Sequence, residues 1–157
     1  MTDQEITQET IEGLRQSNIG RLFARVSRAY SDLAFEKLTR YGYEALTPVH
    51  TALISNLDIE GTRITTIAER AGVTKQAIGQ LANDLEKQGY IERIPDPEDG
   101  RASLLKFTQK GWQFLLDAHE IKKEIEAEYK SILGAEHMAH LRETLEILLE
   151  HNTDNLP

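Results

Sequence analysis

Apolar residues recur three and four positions apart along most of the chain, a spacing typical of helices with one buried face. In residues 17–41 this spacing predicts a long first helix. Gly42 is expected to end it, while Thr47 and Pro48 supply an N-cap residue and a first-turn proline for a second helix reaching about Leu57. The apolar face of the first helix comprises Ile19, Leu22, Phe23, Val26, Tyr30, Leu33 and Ala34.

Two shorter helices are predicted next, separated by a tight turn at Gly72. Thr65 or Thr66 is expected to cap the third helix, and Thr66 with Glu69 has the spacing of a capping box. Thr74 is expected to cap the fourth helix. The predicted buried face of the fourth helix comprises Ile78, Leu81, Ala82 and Leu85.

A β-hairpin is predicted after the fourth helix. Residues 90–94 and 103–107 are short strand candidates, and the charged, turn-rich segment 95–100 joins them. Thr108 then opens a fifth helix, and Gly134 breaks it. A last helix places on one side the apolar residues Met138, Leu141, Leu145, Leu148 and Leu149.

This order of elements predicts a mainly α fold with a small β-hairpin wing: a winged helix-turn-helix flanked by N- and C-terminal dimerisation helices. Both ends carry apolar stripes longer than a small winged-helix core can cover, so a second copy of the chain is expected to cover them. The expected divisions are a flexible acidic N-terminus (1–16), an N-terminal dimerisation helix (17–45), a DNA-binding lobe (46–108) and C-terminal dimerisation helices (109–157).

The formal charge of −8 over 157 residues argues at first against nucleic acid as a partner. The acidic excess lies at the two ends, however, because residues 61–107 hold 7 basic and 7 acidic side chains. Distant carboxylates are screened beyond roughly 8–10 Å at ordinary salt, so local Lys and Arg clusters decide the attraction to phosphate. Double-stranded DNA is therefore compatible with the charge, but the lobe has little basic excess for binding arbitrary sequences.

Other classes of function find little support. No run of about 18 apolar residues predicts a membrane span, and the polar, acidic start is unlike a secretory signal. The absence of cysteine fits a cytoplasmic protein and excludes thiol chemistry within the chain. No phosphate-binding glycine loop or nucleophile motif is present, so neither an enzyme nor a cofactor is expected. His137 and His140 lack an evident further ligand, so no metal site is expected.

Polar residues suited to DNA gather on the fourth helix and at the hairpin. Lys75, Gln76 and Gln80 lie opposite the buried face, where amides can pair with adenine edges and Lys can reach guanine or phosphate. The Thr74 hydroxyl and the helix N-terminus can contact phosphate. Arg101, at the hairpin tip, suits an electronegative minor groove. The alternatives are a solvated helix face and a surface ion pair.

Further hypotheses concern five more side chains. Arg63, which precedes the third helix, is a candidate phosphate contact. Asp99 is expected to orient Arg101 or another arginine through a charge-assisted hydrogen bond. Tyr30, His50 and Trp112 lie near predicted helix junctions and could line a small-molecule pocket, for which core packing is the alternative.

Four segments in register resemble the MarR family of bacterial transcription regulators: 46–50, 67–76, 85–93 and 96–101. Residues 104–111 also match the family's exit from the wing into the next helix. The resemblance implies a homodimer whose two winged lobes bind a pseudo-palindromic operator about one helical turn, roughly 34–36 Å, apart. It also implies an effector cleft for small aromatic ligands between the lobe and the dimerisation helices.

The resemblance assigns base reading to Thr74, Lys75, Gln76 and Gln80, and the wing contact to Arg101. It identifies the chain as a sequence-specific DNA-binding transcription regulator, a repressor that a small aromatic ligand relieves. The alternative is a winged-helix protein-interaction module that no longer binds DNA. Net acidity favours that alternative, as does Gly79, which stands where many family members have a hydroxyl residue.

Overall fold

The computed structural model describes residues 18–153, and the predicted N-terminal segment 1–16 lies outside them. Helices α1 to α6 and strands β1 to β3 form a mainly α fold with one small antiparallel sheet, as predicted. The helices are α1 (Ile19–Arg40), α2 (Pro48–Ile54), α3 (Ile64–Ala71), α4 (Lys75–Lys87), α5 (Gln109–Leu133) and α6 (Ala135–Thr153). The strands are β1 (Thr62–Arg63), β2 (Ile91–Pro95) and β3 (Ser103–Phe107).

Local capping signals place most helix ends. The Thr74 hydroxyl accepts the N–H of Ala77 at the start of α4, and the Thr108 hydroxyl accepts the N–H of Gly111 at the start of α5. Gly72 adopts a left-handed conformation, with φ of 64°, and ends α3. The predicted cap at Thr74 and the predicted helix start at Thr108 are therefore confirmed, as is the turn at Gly72.

The start of α3 was predicted wrongly. Its N-cap residue is Arg63, which makes no side-chain capping bond, and neither Thr65 nor Thr66 caps the helix. The physical reason is that Thr62 and Arg63 pair with β3, so the chain passes directly from a strand into the helix. Helix α2 is also shorter than predicted, ending at Ile54 rather than near Leu57.

The sheet has three strands in the order β1-β3-β2. The β2 and β3 register runs from Ile91 opposite Phe107 to Pro95 opposite Ser103, which forms the predicted hairpin one residue later than expected at its first strand. On the other side of β3, Thr62 lies opposite Leu105 and Arg63 opposite Leu104. The predicted two-stranded hairpin therefore gains a third strand too short to show an alternating pattern.

One core joins α2 to α5 and the sheet. Its completely buried side chains come from α2, α3, α4, the β2–β3 hairpin and α5: Leu53, Ile54, Ile67, Ile78, Leu85, Ile91, Leu105, Ile121 and Ile125. At Gly111, a Cβ atom would lie 2.1 Å from the carbonyl oxygen of Tyr90, so the start of α5 packs directly on the backbone at the end of the α4–β2 turn. The core thus fixes the wing against the long helix α5.

The helices at the two ends of the described chain bury far fewer residues than the lobe does. Within residues 18–153, Leu38 is the one buried residue of α1, and no residue of α6 up to position 152 is buried. None of the described helices is long and apolar enough to cross a membrane. Exposed apolar side chains at these ends include Ile19, Leu22, Phe23, Val26, Leu141, Leu145 and Leu148.

Candidate nucleic-acid interface

Helices α3 and α4 form a helix-turn-helix whose second helix presents its N-terminal half to solvent. The turn is closed by the N–H of Val73, which donates to the carbonyl of Ala68 at 3.0 Å. Ile78, Ala82 and Leu85 bury one face of α4 in the core. The opposite face is therefore held outward by packing and by the Thr74 cap.

The four residues predicted to read bases lie together on this outward face. Thr74, Lys75, Gln76 and Gln80 are all exposed. Within residues 18–153, no hydrogen bond or ion pair occupies the side chains of Lys75, Gln76 and Gln80, while the Thr74 oxygen serves as the helix cap. The face thus offers an ammonium group and two amides beside a helix N-terminus, a combination suited to base edges and phosphates.

Backbone hydrogen bonds close the wing loop, defined as residues 96–102. The N–H of Asp96 donates to the carbonyl of Ala102 at 3.1 Å, and the N–H of Ala102 donates to the carbonyl of Asp99 at 2.8 Å. The Asp99 carboxylate accepts the backbone N–H of Arg101 at 3.0 Å, so the predicted charge-assisted hydrogen bond to Arg101 is present and is made with its main chain. Arg101 lies exposed in this closed loop.

Arg63 extends from β1 to the wing loop and pairs with Asp96. Its Nε donates to a carboxylate oxygen of Asp96, whose side chain is 3% exposed. The second carboxylate oxygen accepts the N–H of Glu98 at 2.9 Å. The bonds from Arg63 and Glu98 hold the pKa of Asp96 below its ordinary value, and the same ion pair raises the pKa of Arg63.

A second arginine joins the sheet to α4. Arg93, on β2, donates to Glu86 at 2.8 Å and to the amide oxygen of Asn83 at 2.7 Å. Neither Arg93 nor Asp96 was among the residues predicted to contribute to the site. Asp96 had one available signal, an acidic residue directly after a strand and before a proline, but its partner lies 33 positions earlier.

A cavity of about 380 Å³ lies between α1, α2 and α5. Its wall is mostly apolar, and the Tyr30 ring also packs edge-on against Tyr129 with 6.3 Å between centroids. Burial raises the pKa of the Tyr30 phenol above its ordinary value. The polar lining residues are Tyr30, Ser31, Thr51, Ser55 and Lys122.

Of the three residues predicted to line a pocket, Tyr30 lines this cavity and the other two do not. His50 is buried, and its Nδ1 accepts the N–H of Thr47 at the start of α2. Trp112 packs on Phe107, with 4.8 Å between ring centroids. His50 thus makes a capping bond and Trp112 an aromatic packing contact, and their place in a ligand pocket stays a prediction.

Polar contacts join α1 to α5 beside the cavity. Lys37 donates to Glu124 at 3.0 Å and lies 2.7 Å from Glu128, while the Tyr41 hydroxyl donates to Glu124 at 2.9 Å. These bonds lower the pKa of Glu124 and raise that of Lys37. The orientation of α1 on α5 is thus set by a charged cluster on one side and leaves a cavity on the other.

Among residues 18–153, no group of three His, Asp or Glu side chains is placed to hold a metal ion.

The sequence profile of the MarR family matches residues 46–102, from the start of α2 to the end of the wing loop. Among curated relatives, the HTH-type transcriptional regulator BilQ of Clostridioides difficile is 36% identical over 75 residues, covering 42% of this chain and 51% of BilQ. The exopolysaccharide II synthesis transcriptional activator ExpG of Rhizobium meliloti is 23% identical over 108 residues, covering 69% of this chain and 56% of ExpG. The chain therefore spans little more than half the length of these two relatives.

Solved structures extend the likeness to the flanking helices. The apo form of wild-type MarR from E. coli superposes with a TM-score of 0.70 at 24% identity, covering 84% of this chain and 97% of that one. The regulator BldR from Sulfolobus solfataricus gives a TM-score of 0.64 at 26% identity, covering 92% and 99%. The long helices at both ends are thus part of the shared fold.

Proposed function

The chain belongs to the MarR family, and from this premise we propose that it is a dimeric transcription regulator that binds a pseudo-palindromic operator in double-stranded DNA. The observation that carries the proposal is the outward face of α4. Lys75, Gln76 and Gln80 are exposed and unpaired within the described chain, next to the Thr74 cap. The likeness to regulators supports this use of the face.

Each group on the DNA surface has a proposed task. Gln76 and Gln80 read base edges in the major groove, and Lys75 reaches guanine or phosphate. Thr74 and the free N–H groups of the first turn of α4 hold a phosphate. Arg101 enters the flanking minor groove from the wing.

Dimerisation is proposed to use the exposed apolar faces at the two ends. Val26 and Leu22 of α1 are 59% and 48% exposed, and Leu145 and Leu148 of α6 are 39% and 41% exposed. Apolar surface of this extent on the long terminal helices is stabilised when a second copy covers it. A dimer doubles the small number of base contacts and places two lobes on successive turns of DNA.

The DNA test is an electrophoretic shift with the DNA flanking the chain's own coding region, at several salt concentrations. Gln76→Ala is expected to weaken operator binding by about 1–3 kcal/mol and to leave the salt slope unchanged, because it removes a base contact. Glu69→Ala, on the neighbouring helix α3 and exposed, is the matched control. Unaltered affinity for both Gln76→Ala and Arg101→Ala would contradict the assigned surface.

A second candidate, a winged-helix module that binds protein instead of DNA, is favoured by the charge of −8. The salt series separates the two candidates. DNA binding weakens steeply with salt because phosphates regain their counterions, whereas a packed protein interface responds little. Failure to shift any DNA at low salt would favour the protein-binding module.

We further propose that the protein is a repressor and that a small aromatic acid releases it from DNA. The cavity has an apolar body, and Lys122 in its lining can pair with a carboxylate. A ligand releases the operator only if it binds the non-operator arrangement of the lobes more tightly. Salicylate and benzoate are the first probes, titrated into the operator complex.

Lys122→Ala is expected to weaken the ligand's effect roughly tenfold, as loss of a charge-assisted hydrogen bond does. Lys123→Ala is its matched control, because Lys123 pairs with Glu120 at 3.0 Å and does not line the cavity. Equal responses of the two variants would contradict the assignment of Lys122. Stronger operator binding with ligand would make the ligand a co-repressor or the protein an activator.

A further inference from the structure

The wing loop is tied to β1 by the ion pair of the half-exposed Arg63 with the buried carboxylate of Asp96. This inference rests on the proposed DNA-binding function. We propose that Arg63 is a positioning residue, which holds the wing loop through Asp96 and thereby sets where Arg101 meets DNA. The pair would therefore govern operator affinity without Arg63 itself touching a phosphate.

Asp96 is buried, and both of its carboxylate oxygens are held. Asp96 is 4% exposed, and a buried carboxylate is stable only when its oxygens are paired. One oxygen is 2.5 Å from the Nε of Arg63, and the other accepts the N–H of Glu98 at 2.9 Å. The carboxylate thus fixes its own loop through Glu98 and connects that loop to β1 through Arg63.

The sheet register places Arg63 on one side of β3 and the strand that leads to Asp96 on the other. Arg63 lies opposite Leu104 on one side of β3, and Ile94 lies opposite Leu104 on the other. Because Asp96 follows Ile94 by two residues, the Arg63 side chain must cross the width of β3 to reach it. Arg63 is also the N-cap residue of α3. The ion pair therefore links the helix-turn-helix directly to the wing loop.

The loop beyond Asp96 has little else to fix it. Residues 97–101 are all exposed, and the backbone bonds within the loop close it on itself at Asp96 and Ala102. Exposed loops with few buried contacts open at low free-energy cost. The direction of Arg101 therefore depends on how firmly Asp96 is held.

The competing role for Arg63 is a direct contact with phosphate. Its side chain is 42% exposed, and its guanidinium has further N–H donors besides the one that Asp96 accepts. The two roles make opposite predictions for Asp96→Asn. If Arg63 contacts phosphate, removing the neighbouring carboxylate strengthens DNA binding. If Arg63 positions the wing, the same substitution weakens operator binding, by about tenfold.

A double-mutant cycle on the full-length protein decides how Arg63 acts. Arg63→Ala is expected to weaken operator binding about tenfold in the wild-type background and less than about twofold in the Arg101→Ala background, since both changes remove the same wing contact. Additive losses would overturn the positioning role. If Arg101→Ala alone has no effect, the wing part of the proposed function fails instead, and the next measurement still tests the ion pair.

That measurement needs no DNA. Limited trypsin digestion, with the first cut after Arg101 followed by mass spectrometry, reports opening of the wing loop. Arg63→Ala and Asp96→Asn are expected to raise the rate of this cut about tenfold. Arg70→Ala is the control, because Arg70 forms an exposed ion pair with Asp58 at 2.8 Å, away from the wing. Equal rates in wild type, Arg63→Ala and Asp96→Asn, with all three folded by circular dichroism, would overturn the proposal.

Discussion

The winged lobe and the terminal helices differ in how far they bury their apolar side chains within one chain. In the lobe, each helix and each strand of the β2–β3 hairpin contributes completely buried side chains to one core. In α6, by contrast, no residue up to position 152 is buried, and α1 buries Leu38 alone within the described part of the chain. A single copy of the chain therefore completes the lobe and leaves its ends incomplete.

The same contrast holds for charge. The lobe segment 61–107 is neutral, whereas the excess of acid lies in the segments before and after it. Exposed apolar stripes flanked by charge are typical of surfaces that meet a partner, while a segment without net charge must obtain its affinity from a few well-placed groups. The proposed function therefore assigns sequence specificity to α4 and the wing, and it assigns dimerisation, which would double the base contacts, to the two ends.

The largest expected effect comes from damaging the core of the lobe. Leu85→Ala should lower the free energy of unfolding by about 2–5 kcal/mol, because Leu85 has no exposed surface and its truncation leaves a cavity. Urea unfolding followed by circular dichroism measures the change. Leu145→Ala is the matched truncation in α6, and its loss should be smaller and should depend on protein concentration.

Equal, concentration-independent losses for Leu85→Ala and Leu145→Ala would contradict the comparison between lobe and ends. Such a result would mean that α6 is stabilised within one chain. The two variants are informative together because both remove the same atoms from leucine, and they differ mainly in the surface that surrounds them.

The next effect concerns association. Leu145→Asp should weaken dimerisation on the order of a hundredfold, about 2.7 kcal/mol, because a charge is placed on a surface that the partner is expected to cover. Sedimentation equilibrium measures the shift toward monomer. Leu116→Asp is the control, since Leu116 is 61% exposed on the first half of α5, next to the lobe. A dimer that survives Leu145→Asp unchanged would remove α6 from the proposed interface.

The sequence predicted best the features that depend on neighbouring residues. Thr74 and Thr108 cap their helices through bonds three positions away, and Gly72 turns the chain through its own φ. Such short-range signals can be read directly from the order of residues. The outward face of α4 followed in the same way, because its four polar residues are fixed by the helical period.

The sequence predicted least well the features that depend on contacts across space. Strand β1 forms because Thr62 and Arg63 pair with β3, about 40 positions later in the chain. The ion pair of Arg63 and Asp96 likewise joins residues that lie 33 positions apart. His50 was a pocket candidate by residue type, yet its ring caps its own helix. Residue type suggests a possible chemistry, but tertiary packing decides which partner the side chain meets.

A smaller effect should appear as a dependence of stability on pH. The pKa of Asp96 is lowered from 3.8, so its charged form stabilises the folded state above that value, and this contribution is lost as the pH falls through the lowered pKa. The stability difference between wild type and Asp96→Asn should be constant from pH 8 to about pH 5 and should shrink below about pH 4. Urea titrations at each pH measure it. A difference that grows as the pH falls would contradict the ion pair.

The smallest effect tests the face of α4 itself. Gly79→Ala should stabilise the protein by up to about 1 kcal/mol, because alanine favours helix and nothing lies within 4 Å of the added Cβ. If the backbone of α4 approaches DNA closely at this point, the same methyl group should weaken operator binding while the melting temperature rises. Thermal unfolding and operator titration on one preparation measure both quantities.

Gly111→Ala is the opposing control for Gly79→Ala. The added Cβ would lie 2.1 Å from the Tyr90 carbonyl oxygen, so the change must push the start of α5 away from the backbone at Tyr90. It should therefore lower the melting temperature. A glycine kept for packing loses stability when replaced, whereas a glycine kept for DNA gains stability and loses affinity. Unchanged operator affinity in a stabilised Gly79→Ala protein would mean that side chains alone approach the bases and that the α4 backbone stays clear of the groove.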